Sequence, residues 1–346
     1  MAMVQRLKKT GIGLLCVFNA GFLLGHAMAG NPPSAGPQVS DYIRYVETDP
    51  AAESKLQTAL TRFSKGDLIV DLVAVVHLGD ADYYAYLDDY LKRYDVVLYE
   101  LVGGQFSKEA LEPSAENDAV RGLQQVAKAF LGLEFQLENI NYEAANFVHA
   151  DVDWTEYEEL LAARNQSFGT IFQRAMALTE DSEAEGFVTD EAAMNMMMNQ
   201  LVAAVLTGNS SALKRSLAPF LGEAEELITQ IEGEDGTVLV TERNKVVMTR
   251  LYEVAAGGQR KLAVFYGAGH MPDLEARLLA EGFTKDDTTW ADAWTIDPVG
   301  VVNETNPSGS PADLMANLLS QSPELMVVLQ QMSEVLEALP QIEAVQ

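Results

Sequence analysis

The sequence is short of thiols and imidazoles. Of its 346 residues one is cysteine, Cys16, and four are histidines. A disulfide needs two cysteines and a thiol nucleophile needs one inside the fold, so an internal disulfide framework is excluded and thiol chemistry is not expected. Any histidine that takes part in catalysis or metal binding must come from a very short list.

Several common catalytic motifs are absent as well. The sequence contains no P-loop, G-x-G-x-x-G, G-x-S-x-G or H-E-x-x-H pattern. These absences argue against nucleotide enzymes, serine hydrolases and the common zinc proteases.

Positive charge is scarce too. Twenty-three Lys and Arg side chains face 51 Asp and Glu, for a net charge of −28 at pH 7. This balance repels phosphate backbones, so we expect no nucleic acid partner; cations or basic peptides are attracted instead. With 48% hydrophobic and 21% charged residues, the composition is typical of a folded globular protein.

The N-terminal segment is typical of a secretory signal peptide over residues 1–29. A basic start precedes an apolar run at 11–25, and Ala27-Met28-Ala29 forms an A-x-A cleavage site. The run is short of the about twenty residues that cross a bilayer. We therefore expect export to the periplasm or the extracellular space, with an uncleaved anchor as the alternative and the membrane touched only through this segment.

The remaining chain predicts an α/β fold with a mostly parallel or mixed central sheet flanked by helices. A linker at 30–50 leads into core segments at 51–104 and 236–300, which are separated by a large helical insertion or cap at 105–235. Residues 301–346 form a loop and an amphipathic helix, which is expected to pack on the fold or to form a homodimer surface.

Local patterns give the expected elements of the core. Leu56, Leu60 and Phe63 lie at helical spacing and predict a helix ending at Gly66. The apolar stretches "DLIVDLVAVVHLG", "DVVLYELVGG" and "KLAVFYGAG" predict buried strands, "NFVHADVD" a short strand inside the insertion and "TWADAWTI" an edge strand. Thr241 is expected to cap one later helix and Pro272 to open another.

Two histidines lie at strand ends in the same short motif, H-x-[GP]-D. It reads His77-Leu78-Gly79-Asp80 at the first and His270-Met271-Pro272-Asp273 at the second, and each motif opens a helix. Ligands collect beyond the carboxyl ends of parallel strands, so we expect both imidazoles at one sheet edge, with Asp80 and Asp273 capping the helices. The alternative is that each histidine only completes a turn.

A glutamate and an arginine join this prediction. Glu100 ends the buried stretch "DVVLYE" and needs a cation or a donor as its partner. With His77 and His270 it could hold a divalent metal that generates hydroxide. Arg243 and Asn244 begin an otherwise apolar helix, where Arg243 is a candidate clamp for an oxyanion or a carboxylate. The alternative is that Arg243 pairs with Glu100 and only holds a helix to the sheet.

Other candidate sites are weaker. His149 with Asp151 and Asp153 could form a second cation site, although solvated loop ends are the more common outcome. Four methionines, at positions 194 and 196–198, could contact haem or an apolar peptide, but methionines in helices more often fill core gaps.

The stretches "VVHLGDADYY", "VVLYELVGG", "TERNKVVM" and "YGAGHMPDLEARL" resemble the motif series of the TraB/PrgY family. That family is similar to the TIKI metalloproteases and, more distantly, to erythromycin esterases and ChaN-type haem-binding proteins. The resemblance covers residues 66–104 and 238–283 and implies paired G-x-x-H motifs, a glutamate after the second strand and an E-R-N helix start. Gly267 to His270 keeps the second motif intact, whereas the first has Ala74 in place of its glycine.

The resemblance implies an exported hydrolase that cleaves peptide bonds with a divalent metal of the manganese, cobalt or zinc type. His77, Glu100 and His270 would be its ligands and, together with Arg243, its catalytic residues, and a peptide or small molecule its substrate. Three alternatives stay open. They are a metal-independent esterase-type hydrolase that uses histidine as a base, a non-catalytic protein that binds haem or another ligand at the same edge, and a degenerate member that makes protein contacts.

Overall fold

The computed structural model describes residues 41–49, 51–107, 131–167, 170, 171, 174 and 210–298. The predicted signal peptide, most of the linker, the four methionines and the C-terminal helix lie outside these residues. In the described part of the chain, no helix is long and apolar enough to span a membrane.

The described strands are β1 (Ile43–Val46), β2 (Ser54–Lys65), β3 (Leu68–Val75), β4 (Leu78–Gly79), β5 (Val96–Tyr99), β6 (Glu134–Phe135), β7 (Phe147–His149), β8 (Lys261–Gly267) and β9 (Thr284–Ile296). The described helices are α1 (Ala81–Leu91), α2 (Gln136–Asn139), α3 (Trp154–Ala163), α4 (Ser211–Gly222), α5 (Ala224–Glu232), α6 (Arg243–Ala256) and α7 (Met271–Ala280). A π-helical turn, Val238–Glu242, precedes α6, and a 3-10 turn, Ala268–His270, precedes α7.

Seven of these strands form one mixed sheet, which confirms the predicted α/β class. Its order is β1-β2-β3-β8-β5-β7, and β9 pairs with β2. The strands β3, β8, β5 and β7 run parallel to one another, whereas β1, β3 and β9 are antiparallel to β2. The four parallel strands therefore end at the same edge of the sheet.

The region predicted as a helical insertion contributes a strand to this sheet. The pairing of β7 with β5 is parallel and runs from Val97 opposite Phe147 to Tyr99 opposite His149. The described part of residues 105–235 is thus not purely a cap, because β7 lies within the core sheet.

The predicted helix through Leu56, Leu60 and Phe63 is wrong, since these residues belong to β2. Leu56 and Leu60 point to one face of the sheet and Phe63 to the other, and all three are buried. A strand covered on both faces loses the strict two-residue alternation, and its apolar positions can then fall at helical spacing.

The predicted helix caps are also wrong in detail. Thr241 does not cap α6, and its hydroxyl bonds to Glu232 instead. Asp80 occupies the N-cap position of α1, but its carboxylate accepts from Lys214 Nζ at 2.7 Å and from the Thr295 amide at 2.6 Å. Asp273 lies within the first turn of α7, where His270 takes the N-cap position. Asp80 is thus bound by residues that lie far away in sequence and not by the first turn of its own helix.

One buried carboxylate in the middle of β3 fastens the carboxyl end of α1, and the residues just after it, to the sheet. Asp71 of β3 is 1% exposed and accepts two hydrogen bonds from Arg62 of β2, at 2.9 and 2.8 Å. It also accepts from the hydroxyls of Tyr90 and Tyr94. Each of its oxygens has a donor, as a buried carboxylate requires.

Candidate active site at the carboxyl edge of the sheet

Each of the four parallel strands places a polar side chain just beyond its carboxyl end. His77 follows β3, His270 follows β8, Glu100 follows β5 and Asp151 follows β7. Because β8 lies between β3 and β5, His270 is flanked by the strands that carry the other two predicted residues.

Arg243, the first residue of α6, is the centre of the contacts at this edge. Its Nη2 donates to Glu100 Oε1 and to Asp151 Oδ2, both at 2.6 Å, and its Nε donates to Asp151 Oδ1 at 2.9 Å. Its Nη1 donates to Leu239 O at 3.0 Å and lies 3.2 Å from His270 Nε2. The guanidinium thus joins the ends of β5, β7 and β8 to the start of a helix.

The π-helical turn before α6 makes part of this geometry. Its amino end is closed by Thr237, whose hydroxyl accepts from the Leu239 amide at 3.0 Å. The turn directs the Leu239 carbonyl at the Arg243 side chain. Such wider turns occur often where a protein positions a functional group.

Burial and ion pairing act in opposite directions on Glu100. Burial, the largest effect, would raise the pKa of its carboxyl, but the guanidinium charge of Arg243 and the neighbouring imidazoles of His270 and His77 together lower that pKa well below its usual value. The Glu100 side chain is 5% exposed and that of Arg243 is 2% exposed. Glu100 is therefore a fully ionised group in a place with almost no water.

The pKa of Arg243 follows the same logic with the opposite sign. Burial lowers the pKa of the guanidinium, and Asp151 and Glu100 raise it well above its usual value. Two carboxylates and one guanidinium leave this cluster with one net negative charge.

The backbone of β8 brings Glu100 close to His270. The amide of Gly267 donates to Glu100 Oε2 at 2.7 Å, and a Cβ on that glycine would lie 3.2 Å from the same oxygen. The missing side chain lets the carboxylate approach the strand end. Glu100 Oε1 then lies 3.5 Å from His270 Nε2.

Packing and hydrogen bonds hold the His270 ring. Its edge meets the ring of Tyr266, with the centroids 5.1 Å apart, and the Tyr266 hydroxyl donates to Ala150 O at 2.6 Å. Its Nδ1 lies 2.8 Å from Asn244 Oδ1. His270 itself is 6% exposed.

His77 is more open than His270 and has a separate support. It is half-buried, and its Nδ1 lies 2.9 Å from Gln136 Oε1. The amide group of Gln136 donates to the Tyr142 hydroxyl at 2.7 Å. Among the described residues no hydrogen bond reaches His77 Nε2. His77 therefore presents one uncommitted nitrogen near the cluster, close enough to lower the pKa of Glu100.

The two G-x-x-H-like motifs are offset by one residue in the sheet. The register pairs Ala74 with Tyr266 and Val75 with Gly267, so Ala74 does not occupy the place of the glycine. Ala74 is fully buried and lies within β3, which ends at Val75. The substitution of glycine by alanine in the first motif thus leaves the approach of Glu100 to β8 unaffected.

The three residues of the weaker cation site have three different partners. Asp151 binds Arg243, and Asp153 caps α3 in a reciprocal capping box with Glu156. His149 Nε2 lies 2.7 Å from Leu101 O. The sequence pattern predicted Asp151 only as part of that cation site and not beside Arg243. Its position directly after a strand was the available indication.

The predicted ligands do not fit a divalent metal in the arrangement seen here. Both oxygens of Glu100 have donors, and the positive guanidinium of Arg243 lies between Glu100 and Asp151 and faces His270 Nε2. Within the described residues, no group of three or more His, Cys, Asp or Glu side chains is arranged to hold a metal ion. The divalent metal stays a prediction.

Comparison of the chain with family models, with curated proteins and with solved structures finds no match. The resemblance described above therefore remains a prediction.

Proposed function

We propose that this protein is a hydrolase whose active site is the carboxyl edge of the parallel strands, and that it is exported. The observation that carries the proposal is the meeting of Glu100, Arg243 and His270 at this edge, with His77 nearby and half-open. An ionised carboxylate, a guanidinium and two imidazoles are the groups that hydrolysis uses to move a proton and to stabilise charge.

The roles of the two histidines follow from their exposure and contacts. His77 is the candidate general base, because its Nε2 is uncommitted among the described residues and can take a proton from water. His270 is buried against Arg243 and orders the cluster. As the base takes up a proton, the net negative charge of Glu100, Asp151 and Arg243 stabilises the imidazolium that forms.

Arg243 has a narrower role than a substrate clamp. All of its nitrogens already contact protein groups, and two carboxylates share its charge. It holds Glu100 and Asp151 in place, and only the Nη1 that faces His270 could turn towards a developing oxyanion.

The test measures hydrolysis by the purified chain with unstructured peptides and with aryl esters, which separates a peptidase from an esterase. We expect His77→Gln to lower kcat about 10²- to 10⁴-fold, the usual contribution of a general base. His149→Gln is the matched control, because His149 contacts the Leu101 carbonyl outside the cluster. Equal rates for these two variants, or no turnover of either substrate class, would contradict the proposal.

Two measurements test whether the predicted metal is present and used: the metal content of the unsupplemented protein, and its activity with and without a chelator. Stoichiometric manganese, cobalt or zinc, with activity lost on chelation and restored by that ion, would support the metal version. Activity unchanged by the chelator would support histidine acting on water directly.

A further inference from the structure

Asn244, the second residue of α6, lies directly behind His270. Its side chain is fully buried. Its Oδ1 is 2.8 Å from His270 Nδ1, and its Nδ2 donates to His270 O at 3.0 Å and to Asp273 Oδ2 at 2.7 Å. One amide thus contacts the ring, the backbone and the following helix of the same histidine.

The partners of Asn244 dictate which way its amide faces. A backbone carbonyl and a carboxylate oxygen can only accept, so the NH₂ group must face His270 O and Asp273. Asn244 Oδ1 is then left facing His270 Nδ1. Because an amide oxygen cannot donate, His270 Nδ1 must carry a hydrogen.

The other ring nitrogen is fixed by a partner of opposite kind. Arg243 Nη1 lies 3.2 Å from His270 Nε2, and a guanidinium only donates. Glu100 Oε1 is farther away, at 3.5 Å. His270 Nε2 therefore accepts, and the ring is neutral with its hydrogen on Nδ1.

Asp273 is itself held from the opposite side. Arg277 of the same helix donates to Asp273 Oδ2 from Nε at 2.6 Å and to Oδ1 from Nη2 at 3.1 Å. The carboxylate therefore has a fixed direction towards Asn244. The order of contacts runs from Arg277 through Asp273 and Asn244 to the His270 ring.

We propose that Asn244, oriented by Asp273, is a positioning residue that holds His270 in the tautomer with hydrogen on Nδ1 and a lone pair on Nε2 facing Arg243. Free imidazole side chains prefer the opposite tautomer, so the protein must impose this one. The importance of this tautomer for catalysis rests on the proposed function. A His270 ring that accepts at Nε2 holds Arg243 Nη1 in position at the candidate active site. The tautomer itself can be measured without any activity.

The test is nitrogen-15 NMR of the histidine rings in the full chain, which reports separately on each ring nitrogen. The chain has four histidines, and His270→Gln identifies the signals of interest. At neutral pH we expect a protonated Nδ1 and an unprotonated Nε2 for His270. In Asn244→Leu the Nδ1-protonated share should fall.

Asn146→Leu is the matched control, because the Asn146 side chain donates to the carbonyls of Leu91 and Tyr94 and, within the described residues, has no hydrogen bond to a histidine. It should leave the His270 signals unchanged. A wild-type ring that is protonated on Nε2, alone or together with Nδ1, would overturn the proposal. An unchanged tautomer in Asn244→Leu would also overturn it, because Arg243 alone would then hold the ring. If Asn244→Leu does not fold, the wild-type spectrum still decides.

These outcomes are separable from those of the proposed function. A chain that hydrolyses nothing can still show the Nδ1-protonated tautomer, and an active enzyme can show the other one.

Discussion

Replacing Arg243 with methionine should cause a large loss of stability. Arg243→Met keeps a long, flexible side chain but removes the charge and five polar contacts, three of them to carboxylates. Among the contacts of the described residues, Glu100 would keep its bond from the Gly267 amide and its 3.5 Å approach to His270 Nε2, and Asp151 would keep its bond from the Val152 amide. Removing one partner of a buried ion pair costs about 3–5 kcal/mol, because the other charge is left unpaired.

Urea unfolding at pH 7 measures this loss, with Arg250→Met as the matched control. Arg250 pairs with Glu253 at 2.6 Å, but their side chains are 48% and 56% exposed. An exposed pair contributes about 0–1 kcal/mol. If Arg243→Met loses no more free energy of unfolding than Arg250→Met, the buried cluster described above does not exist in solution.

The same variant makes a prediction with a defined sign in pH. With Arg243 present, the pKa of Glu100 is depressed, so the stability from its ionised form is lost as the pH falls. Without Arg243, burial favours the protonated carboxyl, and lower pH stabilises the variant. The difference between wild type and Arg243→Met should therefore be smaller at pH 4 than at pH 7. Adding Glu100→Gln and Asp151→Asn to Arg243→Met should recover part of the loss at pH 7.

Three further predictions concern stability. Because the native pKa of Glu100 lies well below its usual 4.5, wild type should lose stability as the pH falls from about 4.5, and Glu100→Gln should show a weaker acid dependence in thermal melts at matched pH. Asp71→Asn should lower the free energy of unfolding in urea by about 1–3 kcal/mol, because one carboxylate oxygen is replaced by a donor that faces other donors. Asp89→Asn is the control and should cost nearly nothing, because the Asp89 side chain is 70% exposed. Equal losses would contradict the Asp71 cluster. Asp153→Ala should cost about 1 kcal/mol through loss of the α3 capping box, and an unchanged melting temperature would show that this cap is not formed.

The sequence predicted the parallel part of the fold better than the antiparallel part. β3, β5 and β8 are apolar runs bounded by glycine or charge, and each was predicted as a strand. β2 was predicted as a helix, because both of its faces are covered and its apolar residues therefore do not alternate. Its three partner strands, β1, β3 and β9, lie outside the short stretch from which the helix was predicted. Local patterns carry no information on such two-sided cover.

The candidate site was predicted in outline from residues that end strands. Glu100 and His270 could be placed together because the carboxyl ends of parallel strands share an edge, and the pairing of Arg243 with Glu100 was one of the two interpretations kept open. Asp151 could not be placed there without knowing that β7 joins the sheet beside β5. The roles of Asn244 and Gln136 depend on side-chain directions, which no spacing in the sequence encodes.

The position of β8 between β3 and β5 has a consequence for how the chain folds. β3 and β5 are close in sequence, yet each pairs with a strand that is synthesised much later, and Glu100 meets Arg243 across 143 residues. Loop-closure entropy grows slowly with length, by about 0.6 kcal/mol for each doubling, so the cost is mainly one of time. High contact order of this kind is typical of slow folding. In a growing chain Glu100 has no guanidinium partner until Arg243 is synthesised, and one edge each of β3 and β5 stays unpaired until β8 follows. A chaperone would have its largest effect during this interval.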